Sequence, residues 1–140
     1  MGVIENLVYL RTRKLLYPIV NTILLLLSVE IPRCVSIGKQ LRLQHMARGL
    51  VVHPLTRIGN NVEIYHGVTL GAAKPWDGGL KLKRGYNYCI DIQDDVVLCA
   101  GCKVLCKDEI VVRRGTIVGA NAVLICSTGE NEIWAGIRGR

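Results

Sequence analysis

A hydrophobic residue returns at every sixth position of this chain. Ile31, Ile37 and Leu43 form one such ladder, and Val52, Ile58, Ile64 and Leu70 a second. Ile92, Leu98 and Val104 form a third, and Val112, Val118 and Leu124 a fourth. Gly often follows the ladder residue, as in Ile37-Gly38, Ile58-Gly59, Leu70-Gly71 and Val118-Gly119. Four residues after a ladder position stands another small or aliphatic residue, mostly β-branched: Val35, Leu41, Val62, Val68, Val96, Cys102, Thr116 or Ala122. A period of six fits neither a helix nor a simple strand. It is the signature of a β-helix, in which short strands and turns coil the chain into an all-β solenoid. The absence of Phe and the 15 Gly suit a narrow core of stacked aliphatic side chains.

The period divides the chain. Residues 1–30 lack it and read as a helical segment, one helix or two with a break near Pro18. Residues 31–126 carry the solenoid, and 127–140 read as a tail that leaves the repeat. The phase slips between Leu43 and Val52, between Leu70 and Ile92, and around Lys107-Asp108-Glu109. The second slip predicts a projecting loop over 72–88, and loops carry function more often than coils do. The apolar stretch 15–29 follows Arg11, Arg13 and Lys14, but it contains Pro18, Asn21 and Thr22. It is shorter than the roughly 20 residues of a membrane span. Packing against the end of the solenoid or a neighbouring subunit is favoured over contact with a membrane surface.

The net charge of +7 is spread along the chain. A solvated surface explains most of it, and attraction of a phosphorylated small molecule a subset. Nucleic-acid binding is the weakest reading, because no aromatic platform or recognition helix appears. Cys34, Cys89, Cys99, Cys102, Cys106 and Cys126 do not form a disulfide framework, which points to a reducing cytoplasm. Cys99-Ala-Gly-Cys102 has no second pair or His pair at zinc spacing, so packing thiols are expected and no metal.

Chemistry is expected from the three His residues, His45, His53 and His66. Imidazole can take a proton from a hydroxyl at neutral pH, and a carboxylate can orient it and offset its charge. With about 18 residues per coil, Glu30 and His45 can lie on neighbouring coils and form such a pair. A surface His at a corner turn is the competing reading. His53 reads as a turn residue before Pro54.

Several ordered blocks resemble the serine acetyltransferase-like branch of the hexapeptide acyltransferases. They are Val29-Glu30-Ile31-Pro32, Leu43-Gln44-His45, Gly49-Leu50-Val51-Val52-His53-Pro54, Ile58-Gly59-Asn60-Asn61-Val62 and Tyr65-His66-Gly67-Val68-Thr69-Leu70-Gly71. Gly119-Ala120-Asn121-Ala122-Val123 and Ala135-Gly136 follow in the same order, so the resemblance spans 29–136. It implies a left-handed parallel β-helix, a homotrimer, and acetyl transfer from acetyl-CoA to a hydroxyl without a covalent enzyme intermediate. It assigns His45 as general base and Glu30 as its acidic partner; His66 is a further candidate catalytic residue, acting through positioning. It places the cofactor against Gly71, Ala72, Ala100, Gly101, Lys103, Gly119 and Ala120.

The chain also departs from the family pattern. The corner His45-Met46-Ala47-Arg48-Gly49 is one residue longer, and Gln44 replaces an Asp. Loop 72–88 lacks an Arg-His pair, for which Lys83 and Arg84 are unaligned substitutes. These differences bear on the acceptor, which is either L-serine or a sugar hydroxyl in surface-polysaccharide synthesis. A non-catalytic hexapeptide scaffold is the alternative function.

Overall fold

The computed structural model describes residues 2–82 and 84–136. Among these residues two helices precede fourteen short strands: α1 (Val3–Leu10) and α2 (Tyr17–Leu26), then β1 (Val29–Glu30), β2 (Ser36–Ile37) and β3 (Arg42–Leu43). The next coils hold β4 (Leu50–Val52), β5 (Thr56–Ile58), β6 (Glu63–Ile64), β7 (Thr69–Ala72), β8 (Ile90–Ile92) and β9 (Val97–Leu98). The last hold β10 (Lys103–Cys106), β11 (Ile110–Val112), β12 (Ile117–Val118), β13 (Val123–Leu124) and β14 (Ile133–Trp134).

Strands three apart in sequence stack in parallel, with β14 closing on β12, giving three sheets: β1-β4-β7-β10-β13, β2-β5-β8-β11 and β3-β6-β9-β12-β14. The period of six is the length of one side of this three-sided prism. Of the ladder residues all but Ile37 are buried, and so are all eight residues four places further on. At Gly38 a Cβ would stand 2.6 Å from the Gly59 backbone, so the stacked corner after β2 and β5 admits no side chain there. Thr116 is the polar member of the inner set. Its hydroxyl meets Thr128 Oγ1 at 3.1 Å and donates to the Gly129 carbonyl at 3.0 Å.

The slips appear as changes of register. Partners in neighbouring coils lie 34 residues apart where β7 meets β10, because the loop after Ala72 intervenes. They lie 20 apart where β8 meets β11, the two extra residues falling around Lys107-Asp108-Glu109. At the ends the rungs extend beyond the six-residue pattern. β1 already pairs with β4, and β14 pairs with β12 inside the expected tail.

α1 covers the open end of the first coil. Strand ends expose unpaired backbone groups that need partners. Glu5 Oε1 accepts the Leu43 N–H at 2.9 Å, and Tyr9 OH accepts from Leu41 N–H at 3.2 Å while donating to the Gly38 carbonyl at 2.7 Å. Buried Arg11 donates to the carbonyls of Val8 and Val35. The helix break falls over residues 11–16, just before Pro18, which sits in the first turn of α2. Proline is tolerated there because its missing N–H would have no helical partner. Among the described residues no helix is long and apolar enough to cross a membrane.

Candidate active site

Each coil passes from the third sheet back to the first through a corner, and these corners stack into one edge of the prism. Gly49 N–H donates to Ser28 O at 2.7 Å and Gly67 N–H to Arg48 O at 2.7 Å. Above them, Gly101 N–H donates to His66 O and Asn121 N–H to Ala100 O, both at 2.9 Å. The donor residues share a left-handed backbone, with φ of 77°, 69°, 69° and 55°. Glycine and asparagine reach that region at least cost. At Gly101 a Cβ would also stand 2.2 Å from Asn121 Oδ1. This stacking sets Arg48, His66, Ala100 and Ala120 in one column.

The first corner is larger than the others. Leu43 pairs with Ile64, 21 residues on, whereas Val51 pairs with Thr69, 18 residues on. The three additional residues are taken up by His45, Met46 and Ala47, with φ of 54°, 59° and 47°. Left-handed backbone costs a residue with a Cβ roughly 1–2 kcal/mol, so three in succession hold strain at this corner. Ala47 is buried and anchors the turn, while His45 and Met46 project into solvent. The projection brings the His45 ring edge-on to His66 at 5.3 Å between centroids, and to Tyr65 at 6.1 Å.

A polar cluster not foreseen in the sequence lies beside the imidazoles. Gln44 Nε2 donates to Glu63 Oε1 at 3.0 Å, and Arg42 pairs with Glu63 Oε2 at 3.0 Å. A hydrogen bond with Glu63 raises the Tyr65 phenol above its ordinary pKa. Burial, and then the Glu63 charge, raises the Cys99 thiol as well. The signal was present but faint: Arg42 and Glu63 each precede a ladder residue, and those ladder residues, Leu43 and Ile64, are partners.

Glu30 lies in β1, paired in register with Val51 of β4. Among the described residues no hydrogen bond joins it to His45. Its place is a surface pocket of about 210 Å³ lined by Tyr17, Asn21, Leu25, Ile31 and Pro32. In register it heads an outward row on the first sheet, Glu30, Val51, Thr69, Lys103 and Val123. The other expected residues divide into two groups. Ala100, Gly101, Lys103, Gly119 and Ala120 cluster along the His66 edge, where Lys103 Nζ donates to the Gly101 carbonyl at 2.9 Å. Gly71 and Ala72 pair with Leu105 and Cys106 at the far end of β10, roughly 10 Å away at about 3.3 Å per residue.

The projecting loop contributes a cationic pocket of about 190 Å³, lined by Lys74, Asp77, Gly79, Leu80, Lys81, Lys107 and Asp108. Arg84 is exposed, and Lys83 lies outside the described residues. His53 is half-buried, and its Nδ1 accepts the Leu55 N–H at 3.1 Å. Burial lowers its pKa. Cys102 points inward, and burial pushes its thiol up to about 12, so it packs as a neutral group. Among the described residues no three His, Cys, Asp or Glu side chains converge as a metal set.

No family model matches the chain. The serine acetyltransferase of Staphylococcus xylosus is 37% identical over 112 residues, 80% of this chain and 47% of that protein. Among solved structures, the Neisseria gonorrhoeae serine acetyltransferase in complex with serine aligns with a TM-score of 0.68 and 28% identity, over 91% of this chain and 48% of that one. A serine acetyltransferase in complex with CoA aligns with a TM-score of 0.67 and 27% identity, over 93% of this chain and 49% of that one. The chain thus spans about half the length of the relatives it matches. The expected left-handed parallel β-helix agrees with these neighbours. By sequence and by fold, this chain is serine acetyltransferase-like, with the hexapeptide-repeat solenoid of those acyltransferases.

Proposed function

We propose that the chain is an acetyl-CoA-dependent O-acetyltransferase that acts on a small-molecule hydroxyl, with His45 as general base. The observation that carries this reading is the projecting first corner. It sets His45 against His66 on the same edge that holds the backbone of Ala100, Gly101, Gly119 and Ala120. The likeness to serine acetyltransferases solved with serine and with CoA supports the two substrates. Gly71, Ala72 and Lys103 belong to the proposed cofactor surface, and Lys103 offers a cation to a CoA phosphate. The proposal includes a homotrimer, in which the cofactor lies between subunits, and a cytoplasmic location.

The reaction follows from these groups. The acceptor hydroxyl attacks the thioester carbonyl, and His45 takes its proton as the C–O bond forms. Charge develops on the carbonyl oxygen and needs a hydrogen-bond donor such as a backbone N–H. The C–S bond then breaks, and His45 returns the proton to the CoA thiolate. His66 positions the His45 ring through their edge-on contact. Glu30 is the acidic partner in this scheme. Glu63 is linked to the same corner through its hydrogen bond with Gln44.

The acceptor is L-serine or a sugar hydroxyl. Release of free CoA thiol from acetyl-CoA, measured with L-serine and with nucleotide- or lipid-linked sugars, tests the proposal. Turnover with one acceptor class supports it and names the acceptor. No thiol release with any of them favours a non-catalytic scaffold.

A further inference from the structure

The helix α2 presents three different faces. Val20 and Leu24 are buried against the solenoid. Tyr17, Asn21 and Leu25 border the Glu30 pocket. The remaining face is apolar and open to solvent: Ile19 is 63% exposed, Ile23 37% and Leu26 80%, with Leu15 at 90% just before the helix. Positions 19, 23 and 26 fall on one side at helical spacing, with Leu15 preceding the helix. Isolated apolar residues on a surface need no explanation, but a contiguous stripe does.

The rim of the stripe is cationic. Arg13 and Lys14 are exposed beside Leu15. Arg33 is exposed as well, donating to the Thr12 carbonyl at 3.1 Å and lying 5.9 Å from the Tyr17 ring centroid. No Asp or Glu occurs from Asn6 to Val29. We propose that this face docks the N-terminal end of the solenoid onto an anionic lipid surface, with the stripe in the acyl boundary and the three cations at the headgroups. A two-fold contact between copies would set this cationic rim against an identical one, whereas anionic headgroups complement it. A helix of 10 residues is about 15 Å long, half the roughly 30 Å hydrocarbon core, so it lies on the bilayer and does not span it. This inference does not depend on the acetyltransferase reading.

Vesicle flotation tests it, using the whole chain with pure phosphatidylcholine and with phosphatidylcholine containing one-quarter phosphatidylglycerol. The protein should float with the anionic vesicles, bind the neutral ones at least ten-fold more weakly, and lose binding as salt is raised. The double variant Ile19→Ser/Leu26→Ser should lose at least ten-fold in binding to anionic vesicles while keeping its melting temperature. Lys14→Glu combined with Arg13→Glu, both at exposed positions, should do the same without touching an apolar residue. The proposal is overturned if the wild type stays with the unbound fraction, or if the Ile19→Ser/Leu26→Ser protein still floats. It is equally overturned if that variant lowers the oligomeric state in sedimentation, because the face would then join copies of the chain.

Discussion

Leu98→Ala tests the reading of the six-residue period as an inward ladder. Leu98 lies in β9, fully buried, between Ile64 below and Val118 above. Removing three carbon atoms forfeits about 2.4 kcal/mol of transfer free energy at about 0.8 per methylene. A cavity term adds to this, because strand pairing on both sides prevents Ile64 and Val118 from collapsing into the space. The expected loss is about 3–4 kcal/mol, near the middle of the range for buried Leu→Ala changes. For a chain of this size that lowers the melting temperature by roughly 10 °C. Ile125→Ala is the control. Ile125 is 57% exposed and follows the last ladder residue, so its loss should stay within about 0.5 kcal/mol. Urea and thermal unfolding followed by far-UV circular dichroism measure both. Losses within 1 kcal/mol of each other would refute the assignment of inward and outward positions.

Three further outcomes follow from the same geometry. Gly67→Ala and Gly101→Ala both place a Cβ at φ of 69°, but only at Gly101 does it meet Asn121 Oδ1 at 2.2 Å. Gly101→Ala should therefore destabilise by about 1–3 kcal/mol and Gly67→Ala by about 1, a difference visible in parallel urea titrations. Burial holds His53 below its unfolded pKa, so the unfolded state binds more protons as pH falls through the ordinary histidine range. The stability His53 supplies is thus present above pH 6.5 and lost below it, and His53→Gln should flatten the stability curve over that interval. CoA should raise the melting temperature of the wild type, because a ligand that binds only the native state stabilises it by mass action. Absence of any shift at millimolar CoA would remove the cofactor surface from the account.

The repeat was legible because each rung commits one side chain to the core and the next to solvent, so burial writes the period directly into the sequence. The register slips were legible for the same reason: an insertion displaces every later ladder residue. What they do to the backbone was not legible. The run of left-handed residues at His45, Met46 and Ala47 uses side chains that ordinarily avoid that region, and no glycine marks it. The capping of the first coil was also hidden. Glu5 and Tyr9 act on groups 38 and 29–32 residues away, where no local spacing can betray the partnership. β14 escaped notice because its outward Ile133 and half-buried Trp134 do not continue the aliphatic ladder. Of the site, His45 and His66 were named from sequence and do meet, while the Arg42, Gln44, Glu63 and Tyr65 cluster needed the pairing of β3 with β6 to emerge.

The most direct test is the rate of CoA thiol release by four variants, once an acceptor is found. His45→Ala should lower turnover by roughly 10² to 10⁴, the usual range for loss of a general base. Glu30→Gln and His66→Ala should cost less, and His53→Ala little, with all four proteins folded. Near-full activity in His45→Ala, together with loss of activity in His66→Ala, would contradict the account and make His66 the base.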